Sequence, residues 1–138
     1  MQPGGNKDFG WVKITMTAAT HKSTCIGSQG TQIPGGCSSG FIFNIEKYNL
    51  KIYHAGDTAV FSDMAIIDDL YEPDVILIPV GGSNTMTPEQ AAFALKNYFH
   101  CPKIVIPLYV NNPADKSIHD FDFENFVSVC KKAGIKNK

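Results

Sequence analysis

No run of about 18 apolar residues occurs in this 138-residue chain, so no membrane-spanning helix is expected. The opening residues, Met1 through Asp8, lack the apolar core of a secretory signal, which makes the cytoplasm the expected compartment. Neither sign of charge dominates. A formal net charge of −1 gives no electrostatic reason to expect nucleic acid or an anionic membrane as a partner. The four cysteines, Cys25, Cys37, Cys101 and Cys130, form no C-x-x-C pair and read as small, partly buried thiols in a reducing compartment. Cys25 and Cys37 flank a loop, so pairing or metal binding by them is the alternative. Nucleophile motifs are missing: there is no Gly-x-Ser-x-Gly and no cysteine with activating neighbours. No phosphate-loop Lys-Ser/Thr pair follows Gly81-Gly82, which argues against a nucleotide site.

What remains is ordinary globular material, 43% hydrophobic and 18% charged, of a length that suits one domain over residues 1–138. Residues 11–17 alternate apolar and polar positions and predict a half-buried strand. Residues 18–39 are rich in Ser, Thr, Gly and Gln, are broken by Pro34-Gly35-Gly36, and predict a long functional or disordered loop. Strands over 40–45 and 50–54 follow, joined by a short polar link as a hairpin.

The texture then changes to strands alternating with helices, which makes this α/β material. Ser62-Asp63 is placed to cap a helix through Tyr71, with Met64, Ile67 and Leu70 on one face. Residues 74–80 form a nearly continuous apolar run, the pattern of a strand covered on both faces. Thr87-Pro88-Glu89-Gln90 predicts a helix start with a capping box, the helix burying Ala91, Ala92, Leu95 and Phe99. Residues 103–107 predict another buried strand, and a last helix from Phe123 buries Phe126, Val127 and Cys130 and stops at Gly134.

Chemistry could gather at the strand ends. Asp57, after His54-Ala55-Gly56, could ligate a divalent cation or simply form an Asx-turn. His21, just past the first strand, could be a ligand, a general base or a hydrogen-bonded surface imidazole. His100 ends a helix and reads as structural; His119 sits in a charged loop and reads as solvated. The Gly81–Met86 loop could hold an anion at the following helix start or merely turn the chain.

The order of motifs is more specific than any one of them. His54-Ala55-Gly56-Asp57-Thr58, Phe61-Ser62-Asp63-Met64, Pro79-Val80-Gly81-Gly82 and Thr85-Met86-x-Pro88-Glu89 resemble, in that order, the C-terminal half of the metallo-β-lactamase superfamily. The likeness is to its branch of metal-dependent hydrolases and ascorbate-6-phosphate lactonases, over about residues 9–112. The resemblance implies half of an αββα sandwich, a mixed sheet with helices packed on it, and a divalent metal, Zn or Mn. It also implies hydrolysis of a lactone, ester or phosphorylated small molecule. It matches His21 and Asp57 to metal ligands, and Gly82, Thr85 and Met86 to a substrate-bordering loop. Two departures stand out. The family's N-terminal His-x-His-x-Asp-His is absent, and Tyr109 stands at the position of the family's final His. The expectation is a chain that begins where the second half of the fold begins, holds metal weakly or not at all, and is inactive alone. A degenerate, non-catalytic scaffold or oligomer subunit is the alternative. A homodimer or higher oligomer through the exposed sheet face or edge is expected in either case.

Overall fold

The computed structural model describes residues 1–100, 102–110 and 123–135, so His119 and Cys101 lie outside the described residues. The first strand, β1 (Asn6–Asp8), is too short and polar to show as a pattern, and pairs antiparallel with β2 (Lys13–Ala18). The stretch expected as one long loop carries instead a small ribbon, β3 (Thr24–Ile26) paired with β4 (Gln32–Pro34). Gly30 at φ 74° turns its corner, with the Gly30 amide donating to the Gly27 carbonyl. Three-residue strands whose side chains are all exposed leave no hydrophobic signature, which is why composition hid them.

The expected hairpin is present as β5 (Ser39–Ile45) and β6 (Leu50–His54), closed by a single 3-10 turn and a left-handed Asn49. β7 (Val75–Pro79) and β8 (Ile104–Leu108) then add in parallel. The six strands lie in the order β1-β2-β5-β6-β7-β8, a mixed sheet of the expected α/β class.

Three helices connect or follow the parallel strands: α1 (Met64–Tyr71), α2 (Pro88–Tyr98) and α3 (Phe123–Lys132). α2 starts as its sequence dictates, with the Gln90 amide donating to Thr87 Oγ1 and the Thr87 amide to Gln90 Oε1. α1 does not, because neither Ser62 nor Asp63 caps it; the Ser62 hydroxyl donates to Asp63 Oδ1. Leu70 is 68% exposed rather than on the buried face, since the stripe that packs inward is Met64, Ile67, Asp68 and Tyr71. Those positions follow the i, i+3, i+4, i+7 spacing of one helical face, and residue 70 turns away from it. α3 buries Phe126, half-buries Val127 and Cys130, and ends at Gly134, whose φ of 80° lets the Ile135 amide return to the Cys130 carbonyl.

All three helices cover the same face of the sheet. Ile42, Tyr53, Ile76 and Ile78 point into it and pack against Met64, Ile67, Ala91, Leu95, Phe99 and Phe126. Each of the Ile, Leu, Met and Phe side chains among them contributes about 1.5–3 kcal/mol by leaving water.

The other face is different. In register across the sheet it presents the row Ile14–Phe43–Ile52–Val75–Ile104. A second row runs Met16–Phe41–His54–Leu77–Ile106. These side chains are half-buried in the middle strands, and Ile104 and Ile106 are 50% and 43% exposed on β8. The apolar run of β7 predicts cover on both faces, yet among the described residues helices supply it on one. β8, expected to be buried, is an edge strand for the same reason: β7 pairs one side of it and nothing described pairs the other.

Candidate active site at the strand ends

Backbone hydrogen bonds fix the turn that carries Asp57. β6 ends at His54, and the Ala55 amide continues the sheet by donating to the Leu77 carbonyl. Gly56 follows at φ 68°, and a Cβ there would run into the Ser39 carbonyl oxygen, so only glycine fits. The Gly56 amide donates to His54 Nδ1 at 3.1 Å. Because an amide only donates, Nδ1 is the acceptor and the ring proton sits on Nε2. Asp57 then emerges exposed at the carboxyl end of the strand, where open α/β sheets place their sites.

Thr58, fully buried, ties this turn to the loop after β2. Its Oγ1 accepts from the Thr20 amide at 3.0 Å, and the Ala59 amide donates back to the Thr20 carbonyl at 2.8 Å. His21 is therefore held beside the Asp57 turn, one residue beyond a double clamp. Its Nδ1 lies 2.8 Å from the Lys22 carbonyl oxygen and its Nε2 2.8 Å from the Asn84 carbonyl oxygen. Ser38 Oγ donates to the His21 carbonyl at 2.7 Å and steadies the backbone there.

Tyr109 closes the cluster from the end of β8, donating to Asp57 Oδ1 at 2.6 Å. Its φ of 61° is unusual for a side chain of that bulk. The hydrogen bond to Asp57 holds the phenol proton and pushes the Tyr109 pKa above its ordinary value.

The loop after β7 is built by its own contacts. Gly82 adopts φ 84°, the Gly81 amide donates to Thr85 Oγ1, and the Gly82 amide donates to the Met86 carbonyl. Met86 is wholly buried and packs in the core, so it supports this loop from beneath rather than lining it. Asn84 is the residue that reaches the site, through its backbone carbonyl on His21.

A divalent ion held by protein alone needs about three donors, each with a lone pair to offer. The residues here do not meet that. A carbonyl oxygen only accepts, so with either ring nitrogen bonded as placed His21 has one lone pair at most, and it faces an oxygen. One oxygen of Asp57 is already taken by Tyr109. Among the described residues the one group of three or more His, Cys, Asp or Glu within ligating distance of each other is Asp68, Asp69 and His100. That group lies at the opposite end of the parallel strands, where His100 closes α2 as a structural residue. Asp68 Oδ2 accepts from the His100 amide at 3.0 Å and pairs with Nδ1 at 2.7 Å, which raises the His100 pKa. Beside it Asp74 bonds Lys103 Nζ at 2.6 Å and the Lys51 amide at 2.9 Å, and these hold its carboxyl below the ordinary range.

Two further oxygens are buried near the core side of the sheet. Tyr53 OH and Thr17 Oγ1 have no partner in hydrogen-bonding geometry among the described residues, and burial pushes the Tyr53 phenol far up.

A family profile described as the Beta-lactamase superfamily domain matches residues 1–109. A UPF0173 metal-dependent hydrolase from Methanoculleus marisnigri is 44% identical over 114 residues, covering 83% of this chain and 49% of the relative. One from Roseiflexus sp. is 45% identical over 93 residues, covering 67% of this chain and 37% of the relative. A solved metallo hydrolase from Ignicoccus hospitalis superposes with a TM-score of 0.75 at 32% identity, covering 98% of this chain and 53% of its own. The chain thus spans about half the length of the curated relatives it matches.

Proposed function

This chain belongs to the metallo-β-lactamase superfamily, and we propose on that premise that it supplies one side of the active centre of a metal-dependent hydrolase and is inactive alone. The observation that carries the proposal is the convergence of Asp57 and His21. Two loops separated by a hairpin are clamped together through Thr20, Thr58 and Ala59 at the carboxyl ends of the strands. The further ligands that a His-x-His-x-Asp-His segment supplies in the family would complete the site. A His and carboxylate donor set suits Zn or Mn, and His21 would supply a lone pair to it only with one ring nitrogen released from its carbonyl partner. The ion's chemistry in the family is hydrolysis. The residues of this chain would place Asp57, exclude alternative turns through Gly56, and border a lactone, ester or phosphorylated small molecule with Gly82 and Thr85.

A second reading, a non-catalytic scaffold, is favoured by one contact: the Tyr109 phenol occupies an Asp57 oxygen. The two separate by complementation. The chain is co-expressed with the N-terminal half of the Methanoculleus relative, and metal content of the co-purified material is read by mass spectrometry. Stoichiometric metal that disappears with Asp57→Asn supports the hydrolase reading. A stable complex without metal overturns it and leaves the scaffold.

A further inference from the structure

We infer that the cleft between α2, α3 and β8 binds a medium-chain carboxylate, an amphiphile with one negative charge and an unbranched apolar tail. The inference does not depend on the hydrolase reading. The cleft reaches His100 and Lys103, at the opposite end of the parallel strands from Asp57.

The helices do not close completely over the sheet. Leu95 and Phe99 of α2, Val105 of β8, and Phe126, Val127 and Cys130 of α3 line a cleft of about 600 Å³. Small-molecule pockets span roughly 300–1,000 Å³ and are lined mostly by apolar side chains, with a few polar groups that orient the ligand. Leu95, Phe99 and Phe126 belong to the core, and Val105, Val127 and Cys130 are half-buried. The apolar wall therefore runs from the core out to solvent. Burial there pushes the Cys130 thiol up, as an apolar surrounding does.

Charge selects the occupant. Apart from Cys130, every ionisable side chain described in the lining is basic: Lys96, His100 and Lys103. Two of these are already engaged, His100 Nδ1 by Asp68 and Lys103 Nζ by Asp74. Lys96, exposed in the last turn of α2, has no ion-pair partner among the described residues. One uncompensated cation beside an apolar cleft matches one anionic head on an apolar tail. A phosphate monoester would bring a second charge with nothing to meet it. A polypeptide segment fits less well for another reason. Amides inside α2 and α3 are bonded within their own helices, so an inserted chain would bury backbone groups without partners. A hydrocarbon tail carries no such groups.

The test is a titration of the 138-residue chain with hexanoate, octanoate and decanoate, and with octanol as the uncharged probe, followed by amide chemical shifts. Wild type and Lys96→Glu are compared. Saturable shifts are expected in α2, β8 and α3, with affinity rising about fourfold for each CH₂ added to the tail. Lys96 is exposed, so Lys96→Glu should leave the fold and its thermal melt intact. It is expected to weaken octanoate on the order of tenfold while octanol binds as before. Absence of saturable decanoate binding at millimolar concentration overturns the inference and leaves polypeptide as the occupant. An affinity indifferent to tail length overturns it, because the contact is then ionic and outside the cleft. Equal octanoate affinity in Lys96→Glu and wild type overturns it by removing the head site.

Discussion

Ile76 and Leu77 are neighbours on β7, and they live in different surroundings. Ile76 is fully buried under the helices, and Leu77 lies half-buried on the face that nothing described covers. The two faces have similar residues and opposite fates, so residue type alone does not say which is core. Cover decides it. α1 and α2 are the crossovers between parallel strands, and both pass on the side where α3 also packs.

The sharpest way to break that comparison is to truncate both neighbours. Ile76→Ala is expected to cost about 2–5 kcal/mol of folding stability, as for other buried aliphatic truncations. Leu77→Ala, on the half-buried face, is expected to cost about 1 kcal/mol or less. Denaturant melts read both, and equal losses would show both faces to be filled core.

Gly56→Ala tests the end of the sheet rather than its faces. The left-handed backbone and the collision with the Ser39 carbonyl together predict a loss of about 1–3 kcal/mol by thermal melting. The hairpin should survive, because its register is set elsewhere.

His100→Gln addresses the opposite end, through pH. The His100 pKa is raised in the fold, so its pairing with Asp68 stabilises fully below the ordinary value of 6.5 and fades as pH rises through the elevated one. The substitution should therefore lower the melting temperature more in mildly acidic than in mildly alkaline buffer. A constant difference across that window would show the pairing to be uncharged.

Tyr109→Phe is the smallest. It removes one hydrogen bond to an exposed carboxylate, so stability should move by about 0.5 kcal/mol or less. Thermal melts of the two proteins side by side read it, and a loss above about 1 kcal/mol would show that the phenol does more than bond Asp57.

Much of the fold was legible because it rests on local chemistry. The capping box at Thr87, the hairpin of β5 and β6 and the run of β7 are each written in a few consecutive residues. The ribbon of β3 and β4 was not, since three exposed residues carry no periodic signal. Leu70 was misplaced because spacing from Met64 is satisfied equally by the stripe through Asp68, and only tertiary packing chooses between them. At the candidate site, Asp57 and His21 stand out in the sequence by type and order. The clamp joining them does not, because Thr20 and Thr58 are 38 residues apart. The contact of His21 with Asn84 spans 63 and uses a backbone carbonyl that no side chain announces. Tyr109 could be noticed in sequence only as standing in an unexpected place; its bond to Asp57 required three dimensions.

On the proposed reading, this chain positions Asp57 for a metal centre that it does not complete. Isothermal titration of the isolated chain with Zn²⁺, repeated with Asp57→Asn, tests it most directly. The account predicts no saturable binding at micromolar concentration in either protein. One equivalent bound by the wild-type chain and lost in Asp57→Asn would contradict it.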